Sequence, residues 1–210
     1  MYGGEAWRPL NPDWGRTLEA RRIELFKLAA PVFAEHGYRG STIKALAHAC
    51  HLSPASLYHY FPSKAALATC LLDRTPMGWD AWEIDGDTDP LDQLGRLLDL
   101  VLEELPYHLL ALRLAREMGR DVRGDAFRPV FGEGEALIGK VIHLAAPDLD
   151  RAGAIEIARR LLGLLIGLAT VGVQTDVTAS RARAIDLLRL HLVSEGGVDA
   201  GRFDRAMSRG

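Results

Sequence analysis

Cysteine is scarce in this sequence: Cys50 and Cys70 are the only two among 210 residues. Both fall within helical patterns, which excludes a disulfide framework and predicts a protein of the reducing cytoplasm. A secretion signal is missing as well, because no basic stretch followed by an apolar one opens the chain. The longest apolar run, residues 161–173, spans 13 positions, too few to cross a bilayer. No β-branched alternating run suggests a strand, and no internal repeat is visible. Neither G-x-S-x-G nor a P-loop is present, and His48, Cys50, His51 and Cys70 lack zinc spacing. Asp85-Gly86-Asp87-Thr88-Asp89 starts like a calcium loop. Its sixth position is Pro90 and its twelfth Arg96, so it reads as a solvated acidic turn. These absences leave no support for catalysis, a metal, a cofactor or a membrane partner.

What the chain does hold is ordinary globular composition, 48% apolar and 25% charged. The net charge of −3 conceals an asymmetry. Residues 1–72 carry eight Lys and Arg against five Asp and Glu, whereas the remainder carries 17 against 23. The basic balance sits where an anionic partner is wanted. Within it, S-T-I-K-A-L-A-H-A-C-H-L-S-P-A-S-L-Y-H-Y-F-P-S-K runs from Ser41 to Lys64. Two short helical patterns meet there at a tight turn and a third helix start follows, the layout of a helix-turn-helix.

The residue types suit DNA. Ala45, Leu46, Ala47 and Ala49, with Leu52 and Leu57, form a small apolar seam that sets the angle between the helices. Ser53 is a natural N-cap with Pro54 at the first helical position. Pro54, Ala55 and Ser56 head the helix that would enter the major groove, where Ser56 can bond several bases and the Ala55 methyl can pack on a thymine methyl. No Arg, Asn or Gln heads that helix, so specificity rests partly on DNA shape. Thr42, Lys44, Tyr58, His59 and Lys64 are the candidate phosphate contacts, Lys64 aided by the dipole of the helix it starts, and Ser53 and Tyr60 complete the candidate DNA-binding residues. For Tyr58 the alternative is core packing.

Four segments follow: an arm over residues 1–16, a DNA-binding domain over 17–74, a helical domain over 75–197 and a polar tail over 198–210. The first helix is expected from Thr17 to His36, with Gly37 as its C-cap and Pro31 an oddity inside it. Later helices are expected near 90–105, 106–121, 125–145, 150–174 and 179–193, with a break at Pro106.

The stretch 21–73 resembles the N-terminal domain of TetR-family transcriptional regulators. Their pattern is an alanine-rich helix ending F-x-x-x-G-[YF], then a Thr, then I-A-x-x-A-G-V-S-x-G-T-[LI]-Y-x-[HY]-F-x-[ST]-K. Phe33, Gly37, Tyr38, Thr42, Leu46-Ala47, Ser53, Leu57-Tyr58, Tyr60-Phe61 and Ser63-Lys64 stand in step with it. Three positions depart: His51 replaces the turn glycine and must hold a side chain at positive φ, Ala55 replaces a glycine, and Pro54 a variable residue. The resemblance implies an all-α fold, a helix-turn-helix domain followed by a helical domain that dimerises and senses a small molecule. It also implies a homodimer on a palindromic operator in double-stranded DNA, released when an effector binds.

The second half fits that implication on its own terms. Residues 161–173 are apolar nearly all round, and Gly163 and Gly167 make a smooth strip for a neighbouring helix. Leu161, Gly163, Leu164, Gly167, Leu168 and Val171, with Ile185, Leu188 and Leu192, are the expected dimer face, half of an intersubunit four-helix bundle. An intrachain core is the alternative. Effector candidates are Trp79, Trp82, Tyr107, His108, Arg113, Met118, Phe127, Phe131 and His143, and their apolar majority suggests a mostly hydrophobic ligand. Simple packing is the alternative for each. The expectation is a repressor. An activator or effector-free regulator, or a helical enzyme or adaptor with a vestigial helix-turn-helix, stands as its rival.

Overall fold

A computed structural model describes residues 18–72, 82–119, 127–170 and 177–209. Those residues form α1 (Leu18–Gly40), α2 (Ile43–Ala49), α3 (Pro54–Tyr60), α4 (Lys64–Ala68), α5 (Pro90–Glu117), α6 (Phe127–Ala145), α7 (Arg151–Thr170), α8 (Val177–Ser194) and α9 (Ala200–Met207). The fold is all-α, and no strand occurs among the described residues. The expected arm lies outside them.

Two compact units divide the chain. The first takes its described residues from 18–72 and 110–119, so the end of α5 belongs to it. Its core is Leu25, Phe26, Ala29 and Phe33 of α1 against Leu46, Ala47, Leu57, Phe61 and Leu67. The Phe26 and Phe33 rings lie 6.5 Å apart, and each fully buried phenylalanine contributes about 1.5–3 kcal/mol by leaving water. Gly37, at φ 66°, ends the regular part of α1 as its C-cap residue should. Pro31 sits on the exposed side of α1, where a carbonyl deprived of its donor costs least.

The second unit packs α6 to α9 with the first five turns of α5 around one apolar cluster, from Leu91 and Leu94 to Leu188 and Leu192. Gly139 sets the approach of α6 to α7: a Cβ there would lie 2.9 Å from Ile155 Cγ1 and 3.0 Å from its Cα. Two expectations are corrected. Pro106 does not break the chain into two helices, because α5 runs through it from Pro90 to Glu117. Pro106 faces solvent while Leu102 and Leu105 are buried, so the packed side holds the helix together.

The polar tail is the second correction. Residues 200–207 form α9, capped by Asp199, whose Oδ1 accepts the Arg202 N–H at 2.7 Å. Phe203, Ala206 and Met207 repeat at helical spacing and enter the core. Arg202 grips Asp89 through both carboxylate oxygens, at 3.0 and 2.8 Å. Foremost through that bond, the Asp89 carboxyl is held below its ordinary value. Arg209 reaches Asp92 at 3.0 Å, and Arg181 joins Asp99 at 2.6 Å and the Met207 carbonyl at 2.9 Å.

Phe203→Ala is therefore expected to destabilise the second unit by about 3–5 kcal/mol, read as a lower denaturation midpoint in urea. A surface tail would show no change.

Candidate nucleic-acid interface

The site is assembled around the α2–α3 turn. Thr42 caps α2: its Oγ1 accepts the Ala45 N–H at 3.2 Å, leaving its own proton to donate outward. At the other end of α2 the His51 N–H meets the His48 carbonyl at 3.0 Å, and the Leu52 N–H meets the Ala47 carbonyl at 2.9 Å. Those two bonds make a Schellman ending. His51 occupies its left-handed position, at φ 55°. Ser53 then caps α3, its Oγ accepting the Ser56 N–H at 3.0 Å and lying 2.8 Å from Ser56 Oγ.

This geometry leaves α3 lightly held. Leu57 is its one fully buried residue, and Phe61, just beyond, is buried beneath the Arg22 guanidinium, 5.1 Å from the ring centre. Ser53, Pro54, Ala55, Tyr58 and His59 are exposed, Tyr58 by 50%. Thr42 and Lys44 are exposed on the neighbouring start of α2. Ser56 and Tyr60 are half-buried, and the Tyr60 hydroxyl bonds to Arg21.

Lys64 is placed differently from a free phosphate ligand. Its Nζ donates to the Tyr38 carbonyl at 2.7 Å and the Ser41 carbonyl at 2.9 Å, and it stands 4.3 Å from the centre of the Tyr38 ring. Two of its three donors thus close the corner between α1 and α2. Sequence spacing alone does not reveal this, since the partners lie 26 and 23 residues away.

Beneath the interface, Cys50 donates its thiol to the Leu25 carbonyl at 3.3 Å. Burial pushes that thiol up to about 11.

The described effector candidates divide between the two units. Arg113 and Met118 belong to the first unit, while Trp82, Tyr107, His108 and His143 belong to the second. Arg113 caps the end of regular α1, donating to the carbonyls of Phe33 and Ala34 at 3.0 and 3.1 Å. Met118 lines an open cleft of about 730 Å³ with Tyr38, Arg39, Ala65, Arg116, Glu117 and Gly119. Trp82 packs on the second unit's core and Tyr107 is half-buried. His108 is buried, with Nδ1 3.0 Å from the Glu104 carbonyl. His143 Nδ1 lies 2.8 Å from the Leu149 carbonyl. Trp79 and the side chains of Phe127 and Phe131 lie outside the described residues.

The expected dimer face is split. Leu161, Leu188 and Leu192 are buried within the chain's own core, because they share the side of α7 and α8 that faces α5 and α6 residues of the cluster. A partner chain cannot touch them. Gly163 and Gly167 are exposed with no atom near a Cβ position, and Leu164 and Leu168 are half-exposed. Ile185 is partly buried against the core, and Val171 lies outside the described residues. The exposed row on α8 is Ala182, Asp186 and Leu190, the last 61% exposed.

Among the described residues no group of three His, Cys, Asp or Glu is placed to hold a metal, and no helix is long and apolar enough to cross a membrane.

A capped α2, a tight turn and an outward-facing α3 define a helix-turn-helix protein, and comparisons with known proteins agree. The family model for bacterial regulatory proteins, tetR family, matches residues 25–69. The transcriptional repressor KstR2 of Mycobacterium tuberculosis is 34% identical over 95 residues, covering 43% of this chain and 47% of that protein. The regulator UidR of Escherichia coli is 35% identical over 51 residues, 24% of this chain and 26% of its own length. The chain thus spans less than half the length of these curated relatives. In fold, TylP, a tetR regulator from Streptomyces fradiae, superposes with a TM-score of 0.56 at 24% identity, over 89% of this chain and 97% of its own. CprB from S. coelicolor superposes at 0.55 with 20% identity, over 90% and 94%. The segment that resembles the tetR family of bacterial regulatory proteins is thus the one that holds the helix-turn-helix, residues 25–69.

Two outcomes test this local geometry. His51→Gly should raise stability by about 0.5–1 kcal/mol, since the left-handed cost to a side chain exceeds glycine's entropic loss; an unchanged denaturation midpoint would contradict it. Cys50 should resist iodoacetamide in the folded protein at pH 8 and react fully on unfolding.

Proposed function

We propose that this chain is a DNA-binding transcriptional regulator of the cytoplasm and not an enzyme. In this reading it is a homodimeric repressor that leaves a palindromic operator when a largely hydrophobic small molecule binds. The observation that carries the reading is the outward face of α3. One buried leucine anchors the helix, and Pro54, Ala55, Tyr58 and His59 project into solvent beside Thr42 and Lys44. Short hydroxyl and apolar groups at the helix start meet base edges, while the longer Tyr58, His59 and Lys44 side chains reach phosphates on either side.

Residues 17–74 bind DNA in this reading and residues 75–197 sense and dimerise. Dimerisation draws support from α7 and α8. Their core-facing leucines are satisfied, yet the Gly163–Gly167 strip, Leu164, Leu168 and Leu190 stay open. A second copy would complete a four-helix bundle there and set two recognition helices one duplex turn, about 34–36 Å, apart. Repression is supported by the naming of KstR2 as a transcriptional repressor. Effector release is supported by the family resemblance.

The test is selection of bound fragments from the source genome by the purified protein at near-physiological salt. A palindromic site is expected, and no enrichment over background would overturn the reading. With that site in hand, Lys44→Ala should weaken binding to all sequences and flatten the salt dependence by about 0.9 in log–log slope. Substitutions at Pro54 to Ser56 should instead change which sequences are preferred. For the dimer, Leu190→Glu should give a monomer in sedimentation equilibrium; a persisting dimer would exclude the α8 row from the interface.

A further inference from the structure

The helix-turn-helix is held from outside its own sequence. At Gly37 the chain leaves α1 through a left-handed residue, and six positions later α2 begins at Ile43. The Glu117 carboxylate accepts the Tyr38 N–H through Oε2 at 2.6 Å. The same carboxylate pairs through Oε1 with Arg113 Nε at 3.4 Å. Arg113 in turn caps the Phe33 and Ala34 carbonyls at the end of regular α1. Space at the corner is matched to this carboxylate. A Cβ on Gly37 would fall 2.9 Å from Glu117 Oε2, so glycine is required there by both contact and φ.

Other backbone groups of the same corner are also held. Lys64 donates to the carbonyls of Tyr38 and Ser41, and Ser41, itself buried, donates Oγ–H to the Gly37 carbonyl at 2.6 Å. Tyr38 thus has its N–H fixed by α5 and its C=O fixed by α4. The next residue but three is Thr42, the cap whose outward hydroxyl meets the candidate phosphate. A charged acceptor on a backbone N–H makes a strong, directional hydrogen bond, and the corner has few other ways to satisfy that group.

We infer that Glu117, with Arg113, is a positioning residue for DNA binding: it holds the Gly37–Thr42 corner so that Thr42 and Lys44 meet phosphate together. The inference rests on the DNA-binding reading. It adds to the interface two residues more than 40 positions beyond the matched segment 25–69, neither of which need touch DNA.

The test compares the full-length protein with Glu117→Ala and Glu117→Gln in two measurements. The first is affinity for the selected operator fragment across a salt series. Glu117→Ala should bind about tenfold more weakly, with a log–log salt slope shallower by about 0.9, the loss of one phosphate contact. Glu117→Gln retains a carbonyl that accepts the Tyr38 N–H and should recover most of the affinity and the slope. Equal loss in both variants, or a loss of affinity with the slope unchanged, would overturn the positioning role. The second measurement is hydrogen exchange of residues 38–45 without DNA. Faster exchange confined to this corner in Glu117→Ala, with α3 and the second unit unchanged, is expected. Exchange equal to wild type would overturn the proposal whatever the DNA result. If wild type binds no fragment while the corner still loosens in Glu117→Ala, the DNA-binding reading fails and this use of the clasp fails with it. The contact itself would stand as structural.

Discussion

The interface depends on one constraint, the closure of the α2–α3 turn by the Leu52 N–H on the Ala47 carbonyl. That bond, with the buried Ala47 beside Leu46, fixes the direction in which α3 leaves. Once the direction is fixed, Ser53 can cap, Leu57 can reach the core, and Tyr58 and His59 have nowhere to point but outward. The left-handed residue at its centre is a histidine, so the geometry is retained against a local backbone cost. Tertiary burial on both sides of the turn, by Leu46 and by Leu57, offsets that cost.

Much of this half was legible because its information is local. Caps, turns and apolar spacing act over three or four residues, so Ser53 and Gly37 announce their roles in sequence. The positive φ at His51 follows from its place in the turn for the same reason. What could not be read was the destination of long side chains. Lys64 and Arg113 are chemically fit for phosphate or ligand, and only the folded corner shows that backbone carbonyls claim them. Tyr60 is a similar case, since its hydroxyl returns to Arg21.

The second half misled in two ways, both traceable to the weight given to single residues. Pro106 suggested a break, yet one missing hydrogen bond on a solvent face does not outweigh the buried leucines on the opposite side of α5. The stretch after Val198 looked polar by composition, whereas Phe203, Ala206 and Met207 are enough to seal a short helix into the core. Glycines were also ambiguous. The close approach of α6 and α7 uses Gly139, while Gly163 and Gly167 face outward, and no periodicity distinguishes the two uses. Leu161 falls on the same helix as that open strip but on the other side, and Leu188 is likewise opposite the exposed Leu190 on α8, which is why a face-level expectation has to be divided residue by residue.

Neither unit is built from one continuous stretch in order, and this bears on how the protein is made. The helix-turn-helix is synthesised first, but Arg113 and Glu117 leave the ribosome only after α5 has been threaded through. The second core waits longer still, because Phe203 and Met207 are the last of its residues to be made. Until then, the leucines of α5 and α8 face an unfinished cavity. Translation therefore passes through an interval in which apolar residues of the second core lack part of their packing, a period when a chaperone is useful.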